Sequence, residues 1–166
     1  EIGSGLVGSE MCIRDRVIRG YESALAAVTV LTAYIPMLTD AGGNAGSQST
    51  STIIRSMAVG DIAPHDLPRI IWRECRVALM CGVTLAVCNF FKMLLLDRIA
   101  APVALVVCVT LIFTVLLSQL IGVLLPVIAE KFKIDPAVMA SPLITTIVDT
   151  TTLLIYFNVA KMVLHI

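Results

Sequence analysis

In DPAVMASPLITTIVDTTTLLIYFNVA, residues 135–160, Asp149 is the one charged side chain after Asp135. Asp135 suits a helix N-cap and Pro136 a first helical position. Asp149 then lies 13 residues past Pro136, about 20 Å along the axis, near the midplane of a bilayer that such a helix would cross. An ionised carboxylate is costly at that depth and should face a water-filled path or a partner, yet no Lys or Arg lies in the uncharged part of any span. A protonated, purely structural aspartate is the alternative. Thr145 and Thr152 share its face at i−4 and i+3, and Pro142 frees the carbonyl of Val138, so oxygen donors accumulate along one stripe.

A second polar stretch, PMLTDAGGNAGSQSTSTIIR at 36–55, follows an apolar run. The 40 residues from Tyr21 to Gly60 would make a helix about 60 Å long, roughly twice the hydrocarbon thickness. A break or bend is therefore expected: Pro36 frees the carbonyl of Thr32, and Gly42, Gly43 and Gly46 weaken the helix further. Irregular backbone at membrane depth is tolerated only against protein or water, so freed amides and carbonyls there would line a cavity. An ordinary polar loop beyond the end of a span fits equally well.

The elements that must position these groups follow from the charge gaps. With 58% hydrophobic and 14% charged residues, the chain reads as a membrane protein. Residues 23–39, 77–91 (continuing past Lys92), 99–129 and 136–160 carry no charge except Asp149. Each gap holds all or most of the ~20 apolar residues a helix needs to span, which predicts an all-α, polytopic bundle of four spans. The third gap is long enough for tilt or a bend at Pro126. Arg55, Arg69, Arg73 and Arg76 beside Trp72 mark the first connection as cytoplasmic. By alternation, 92–98 then lies outside, 130–136 inside and the C-terminus outside. Ala78, Gly82 and Ala86, four apart, predict a close helix contact. Cys75, Cys81, Cys88 and Cys108 lack C-x-x-C spacing and read as buried small side chains. Net charge is zero, which gives nucleic acid no purchase.

VGSEMCIRDR at 7–16 resembles the translation of a transposon adapter used in sequencing-library preparation, and residues 1–16 are set aside on that reading, a real polar amphipathic leader being the alternative. Over residues 17–166, PMLTDAGGNAGSQSTSTIIRSMAVGDI and DPAVMASPLITTIVDTTTLLIYF, at 36–62 and 135–157, resemble the two hallmark stretches of the transmembrane domain of MgtE-type magnesium transporters. The resemblance implies a homodimer with five helices per subunit, of which the four spans are helices two to five, and an ion path at the subunit interface. It implies Mg2+ as transported ion and ligand, coordinated in the pore by Asp149 and met at the cytoplasmic mouth by Asp135. Asn44 and Gln48 become pore-lining or supporting groups. The family's first helix and its cytoplasmic regulatory domains have no counterpart here.

Magnesium prefers oxygen ligands in octahedral geometry and sheds water reluctantly, which suits few carboxylates among many neutral oxygens; two-fold symmetry would double Asp149. His65 and His165 read as solvated. The expected setting is a multi-pass protein of the bacterial inner membrane, in contact with lipid and with no enzymatic role. Two other classes stay open: a non-transporting truncated fragment or interaction module, and, remotely, an intramembrane aspartyl protease built on Asp40 and Asp149.

Overall fold

The computed structural model describes Ile18 and residues 29–61, 66–134 and 142–164. The segment set aside at 1–16, Asp135 with Pro136, and both histidines lie outside the described residues. The described residues form four long helices, α1 Thr29–Val59, α2 Leu67–Leu95, α3 Ala101–Lys131 and α4 Pro142–Leu164.

Three helices, α2, α3 and α4 from Leu143, are long and apolar enough to cross a membrane. The described part of α1 is long enough but falls short on composition, because its second half is the polar stretch read above. It runs alongside two of the apolar helices. Leu31 accepts a hydrogen bond from Tyr156 on α4, Gly42 and Gly46 face Val148 and Ile144 of the same helix, and Thr50 bonds Gly122 on α3.

α3 is the central helix and packs against the other three, while α4 also packs against α1. The main core joins Leu31, Tyr34 and Leu38 of α1 to Val107, Leu111 and Val115 of α3 and Tyr156 and Phe157 of α4. The expected α2 seam is present: Ala78, Gly82 and Ala86 are buried, and a Cβ on Gly82 would lie 3.3 Å from the Ile112 Cα. Small residues let backbones approach where lipid supplies no hydrophobic drive. The opposite side of α2 leaves Val77, Met80, Val83, Val87 and Phe91 exposed, a composition that lipid can cover.

Helix ends obey local chemistry. At the end of α1, Gly60 has φ 79°, Gly60 donates to Met57 and Asp61 to Ser56, a Schellman cap. α3 closes the same way with Lys133 at φ 56°, Lys133 donating to Glu130 and Ile134 to Ala129.

The first departure from expectation lies at 42–46. α1 is unbroken from Thr29 to Val59, with Pro36 inside it, so the stretch is neither an irregular break nor a loop. Each interior glycine costs about 1 kcal/mol of helix propensity, but Gly42, Gly43 and Gly46 are all buried, and the packing they permit outweighs propensity. α3 likewise continues through Pro126.

The turn joining α2 to α3 carries a polar tie to α1. Tyr34 Oη donates to Asp97 Oδ2 at 2.7 Å, and Lys92 Nζ lies 3.0 Å from the same oxygen. The Tyr34 hydrogen bond first, and Lys92 second, hold the Asp97 carboxyl below its ordinary value. A carboxylate with a lowered folded pKa stabilises fully above its unfolded value, about 3.9, and that contribution is lost as pH falls through the folded value. The stability gap between the native protein and Asp97→Asn is therefore expected to be constant from pH 7 to about 5 and to close below about 4 in detergent melts; a gap unchanged at pH 3 would contradict the tie.

Candidate functional site

α1 has two faces of opposite character. Its outward face presents Asp40, Asn44, Gln48, Ser51 and Thr52, all exposed, at the i, i+3, i+4 spacing of one helical stripe. Asn44, Ser47, Gln48, Ser51 and Thr52 line a groove of about 520 Å³. Two of the three hydroxyl protons in it are already used: Ser51 donates to the Ser47 carbonyl at 2.9 Å and Thr52 to that of Gln48 at 3.0 Å. Asn44 Nδ2 donates to Asp40 Oδ2 at 3.2 Å. The surface therefore offers lone pairs on the Ser51 and Thr52 hydroxyls and on the Asn44 and Gln48 amide oxygens, beside amide N–H donors, a mixture that suits a hard cation with waters around it.

The inward face is the glycine face. A Cβ on Gly42 would come within 2.7 Å of Thr114 Cγ2 and 2.8 Å of Val148 Cγ1; on Gly46, within 3.0 Å of Ile144 Cγ2 and 3.2 Å of the Ser118 carbonyl oxygen. From α3, a Cβ on Gly122 would lie 2.5 Å from the Gly46 carbonyl oxygen. Gly43 is the looser position, 3.6 Å from Thr145 Cγ2. These glycines place α1 against α3 and α4 together.

Asp149 lies in that packed region. It is only 5% exposed, beside Val148, which meets Gly42. Thr152 is also buried, and Thr145 is partly buried against Gly43. Thr150 and Thr151 donate to the carbonyls of Thr146 and Ile147, as Ser51 and Thr52 do on α1. Asn44 and Gln48 thus share one groove, the three glycines and Thr145 share the α1–α4 contact, and Asp149 and Thr152 lie on the buried side of α4. Asp135 lies outside the described residues. Asp40 bonds Asn44 and is exposed, whereas Asp149 is buried, so the two aspartates of the protease alternative occupy different environments. Among the described residues, no three His, Cys, Asp or Glu side chains gather closely enough to hold a metal ion between them; Cys75, Cys81, Cys88 and Cys108 are free, and of these Cys108 alone is buried as expected, Cys75 being partly exposed and Cys81 and Cys88 exposed.

One polar cluster escaped the sequence reading. Glu74, on α2, is 8% exposed; its Oε2 accepts from Ser49 Oγ at 3.2 Å and its Oε1 pairs with Arg73 Nη2 at 3.2 Å. Along α3, Thr110, Thr114, Ser118 and Gln119 are buried as well. The signal for Glu74 was present: it lies one turn before Ala78, Gly82 and Ala86, in register with that stripe.

A family model described as a divalent cation transporter, MgtE, matches residues 35–159. A protein named magnesium transporter MgtE from Thermus thermophilus is 37% identical over 157 residues, which cover 92% of this chain and 34% of that protein. Proteins of the same name from Bacillus subtilis, 33% identical over 155 residues (92% and 34%), and Enterococcus faecalis, 32% over 148 (88% and 32%), are similar along the same stretch. The chain spans about a third of the length of these relatives.

Proposed function

The chain belongs to the MgtE family of divalent cation transporters, and from that premise we propose that it forms the ion-conducting part of a magnesium transporter, with Mg2+ passing between two copies of the chain. The protein is a multi-pass membrane protein with bacterial relatives, and its setting on this reading is the inner membrane. The four helices then correspond to helices two to five of a five-helix domain.

The observation that carries the reading is the outward stripe of α1. Amide, hydroxyl and carboxylate groups at bilayer depth cannot face hydrocarbon without cost. A second copy apposed on the same face encloses them in a shared, hydrated groove, as a two-fold interface would. Few carboxylates and many neutral oxygens suit an ion that keeps most of its water. In this arrangement Asn44 and Gln48 line or support the path, and Asp149 supplies one carboxylate from each copy at its inner wall, which requires α1 or α4 to shift because Asp149 is 5% exposed in a single copy; Thr145 and Thr152 extend its polar stripe, and Asp135 concentrates cations at the mouth. Gly42, Gly43 and Gly46 act behind the path, by packing.

Both halves of the reading are open to test in the full-length protein. Expression is expected to restore growth at low magnesium to cells lacking their own uptake systems. Gln48→Cys and Ser51→Cys are expected to form disulfides between copies under mild oxidation, while Val83→Cys on the lipid-facing side of α2 does not. Growth rescue without cross-linking at either α1 position would remove the shared groove from the proposal.

A further inference from the structure

Ser49 and Thr50 are sequence neighbours of Gln48 and Ser51 but point the other way. Thr50 Oγ1 donates to the Gly122 carbonyl at 3.0 Å. Ser49 Oγ lies 3.2 Å from Glu74 Oε2 and 3.3 Å from the Gln119 carbonyl. Its single proton can serve one acceptor at a time, and the carboxylate is the stronger. Glu74 itself is an acidic residue 8% exposed, with one oxygen paired to Arg73, on a helix long and apolar enough to span a membrane, and buried carboxylates there are expensive unless something requires them.

The sequence of α1 says what requires it. From Ala41 to Thr52 the helix reads AGGNAGSQSTST, with small side chains everywhere but at Asn44 and Gln48. Adjacent residues are 100° apart on a helix, so turning α1 by one residue would bring Ala45 or Ser47 to the place of Gly46, where a Cβ comes within 3.0 Å of Ile144 Cγ2; the glycine contacts and the Ser49 bond oppose the same rotation. The glycine contacts limit how far α1 can turn, and the hydrogen bond to a carboxylate is the directional part of that lock.

We infer that Glu74 is a positioning residue: through Ser49 it sets the rotation of α1, keeping Asn44, Gln48 and Ser51 turned outward and the glycines turned in. Its importance for transport rests on the reading of that stripe as the ion path. The rotation itself does not.

The test reads rotation directly. In the full-length protein, with native cysteines replaced by alanine, single cysteines are placed on the front of α1 (Gln48→Cys) and on its back (Ile53→Cys, a position 1% exposed). Reaction with a charged methanethiosulfonate reagent is followed in membrane vesicles, alongside magnesium uptake. With Glu74→Ala or Ser49→Ala the front position is expected to react at least tenfold more slowly and the back position faster. Glu74→Gln, which keeps a carbonyl oxygen for Ser49, restores the native pattern. Mere loosening would accelerate both positions, and that result, or two unchanged rates, overturns the inference. If Glu74→Ala does not assemble, Ser49→Ala, which removes one oxygen atom, carries the test. A reciprocal change in rates with uptake intact would uphold the positioning role and remove the stripe from the ion path. Uptake lost with unchanged rates would refute the positioning role and leave the path standing.

Discussion

Asp149→Asn is expected to reduce magnesium uptake to background while the protein still inserts and folds. The substitution keeps the side chain's volume and one acceptor oxygen but removes one formal charge per chain, two in a dimer. At ~5 Å and an effective dielectric near 20, one charge against a divalent ion is on the order of 7 kcal/mol. Even a fraction of that is a thousandfold in occupancy, and neutral oxygens do not replace it for an ion so costly to dehydrate. Folding has less to lose. A carboxylate 5% exposed carries a desolvation cost that the amide does not, so the melting temperature is expected to stay within a few degrees or rise. A structural aspartate would behave in the opposite order, with stability falling first and uptake only in proportion. Asp135→Asn should do less, because a carboxylate near water mainly raises local cation concentration, an effect screened over about 8 Å at physiological ionic strength. Uptake and melting of both variants in the full-length protein decide the matter; near-normal uptake by Asp149→Asn would withdraw that residue from the path.

Why Asp149 was legible and Glu74 was not follows from one property of charge. A carboxylate deep inside an apolar run stands out in sequence, since hydrocarbon tolerates so few. Glu74 lies among Arg69, Arg73 and Arg76, where counting charges places a membrane boundary, and only the backward extension of the Ala78–Gly82–Ala86 stripe would have drawn it into the bundle. The all-helical class and the three strongly apolar helices were readable from the charge gaps for the same reason that Asp149 was. α1 was misread in its second half because glycine and hydroxyl residues were weighed by propensity. Their partners, Thr114 and Ser118 on α3 and Ile144 and Val148 on α4, lie 72 to 106 positions away from them, and no local pattern announces contacts so distant. Outward hydroxyls were visible as residues, but the fact that Ser51 and Thr52 turn their protons back to their own helix belongs to the fold.

The four glycines at this crossing are expected to respond to alanine in a graded order that neither a broken helix nor a loop would give. Alanine recovers about 1 kcal/mol of helix propensity at each position, against whatever its methyl meets. Gly43→Ala places that methyl 3.6 Å from Thr145 Cγ2, an ordinary contact, so a gain of roughly 0.5–1 kcal/mol is expected. Gly46→Ala meets Ile144 Cγ2 at 3.0 Å and the Ser118 backbone at 3.2 Å; the isoleucine can yield slightly but the backbone hardly at all, and the two effects should nearly cancel. Gly42→Ala is driven to 2.7 and 2.8 Å from two β-branched side chains, whose stiffness leaves little room to retreat, for a net loss of about 1–2 kcal/mol. Gly122→Ala is the severe case. Its methyl would fall 2.5 Å from a backbone oxygen of Gly46, so α1 and α3 must separate, at a cost of roughly 3 kcal/mol, and with them go Thr50's bond to Gly122 and Ser49's contact with Gln119. Thermal unfolding of the four variants in detergent, with uptake alongside, tests the order. Stabilisation at all four positions would mean that propensity governs this segment and that the close crossing of α1 over α3 is not formed. A Gly122 variant that melts early and transports poorly, beside a Gly43 variant that melts late, would locate the role of the glycines in the distance between helices, with the outward stripe of α1 left to meet the ion.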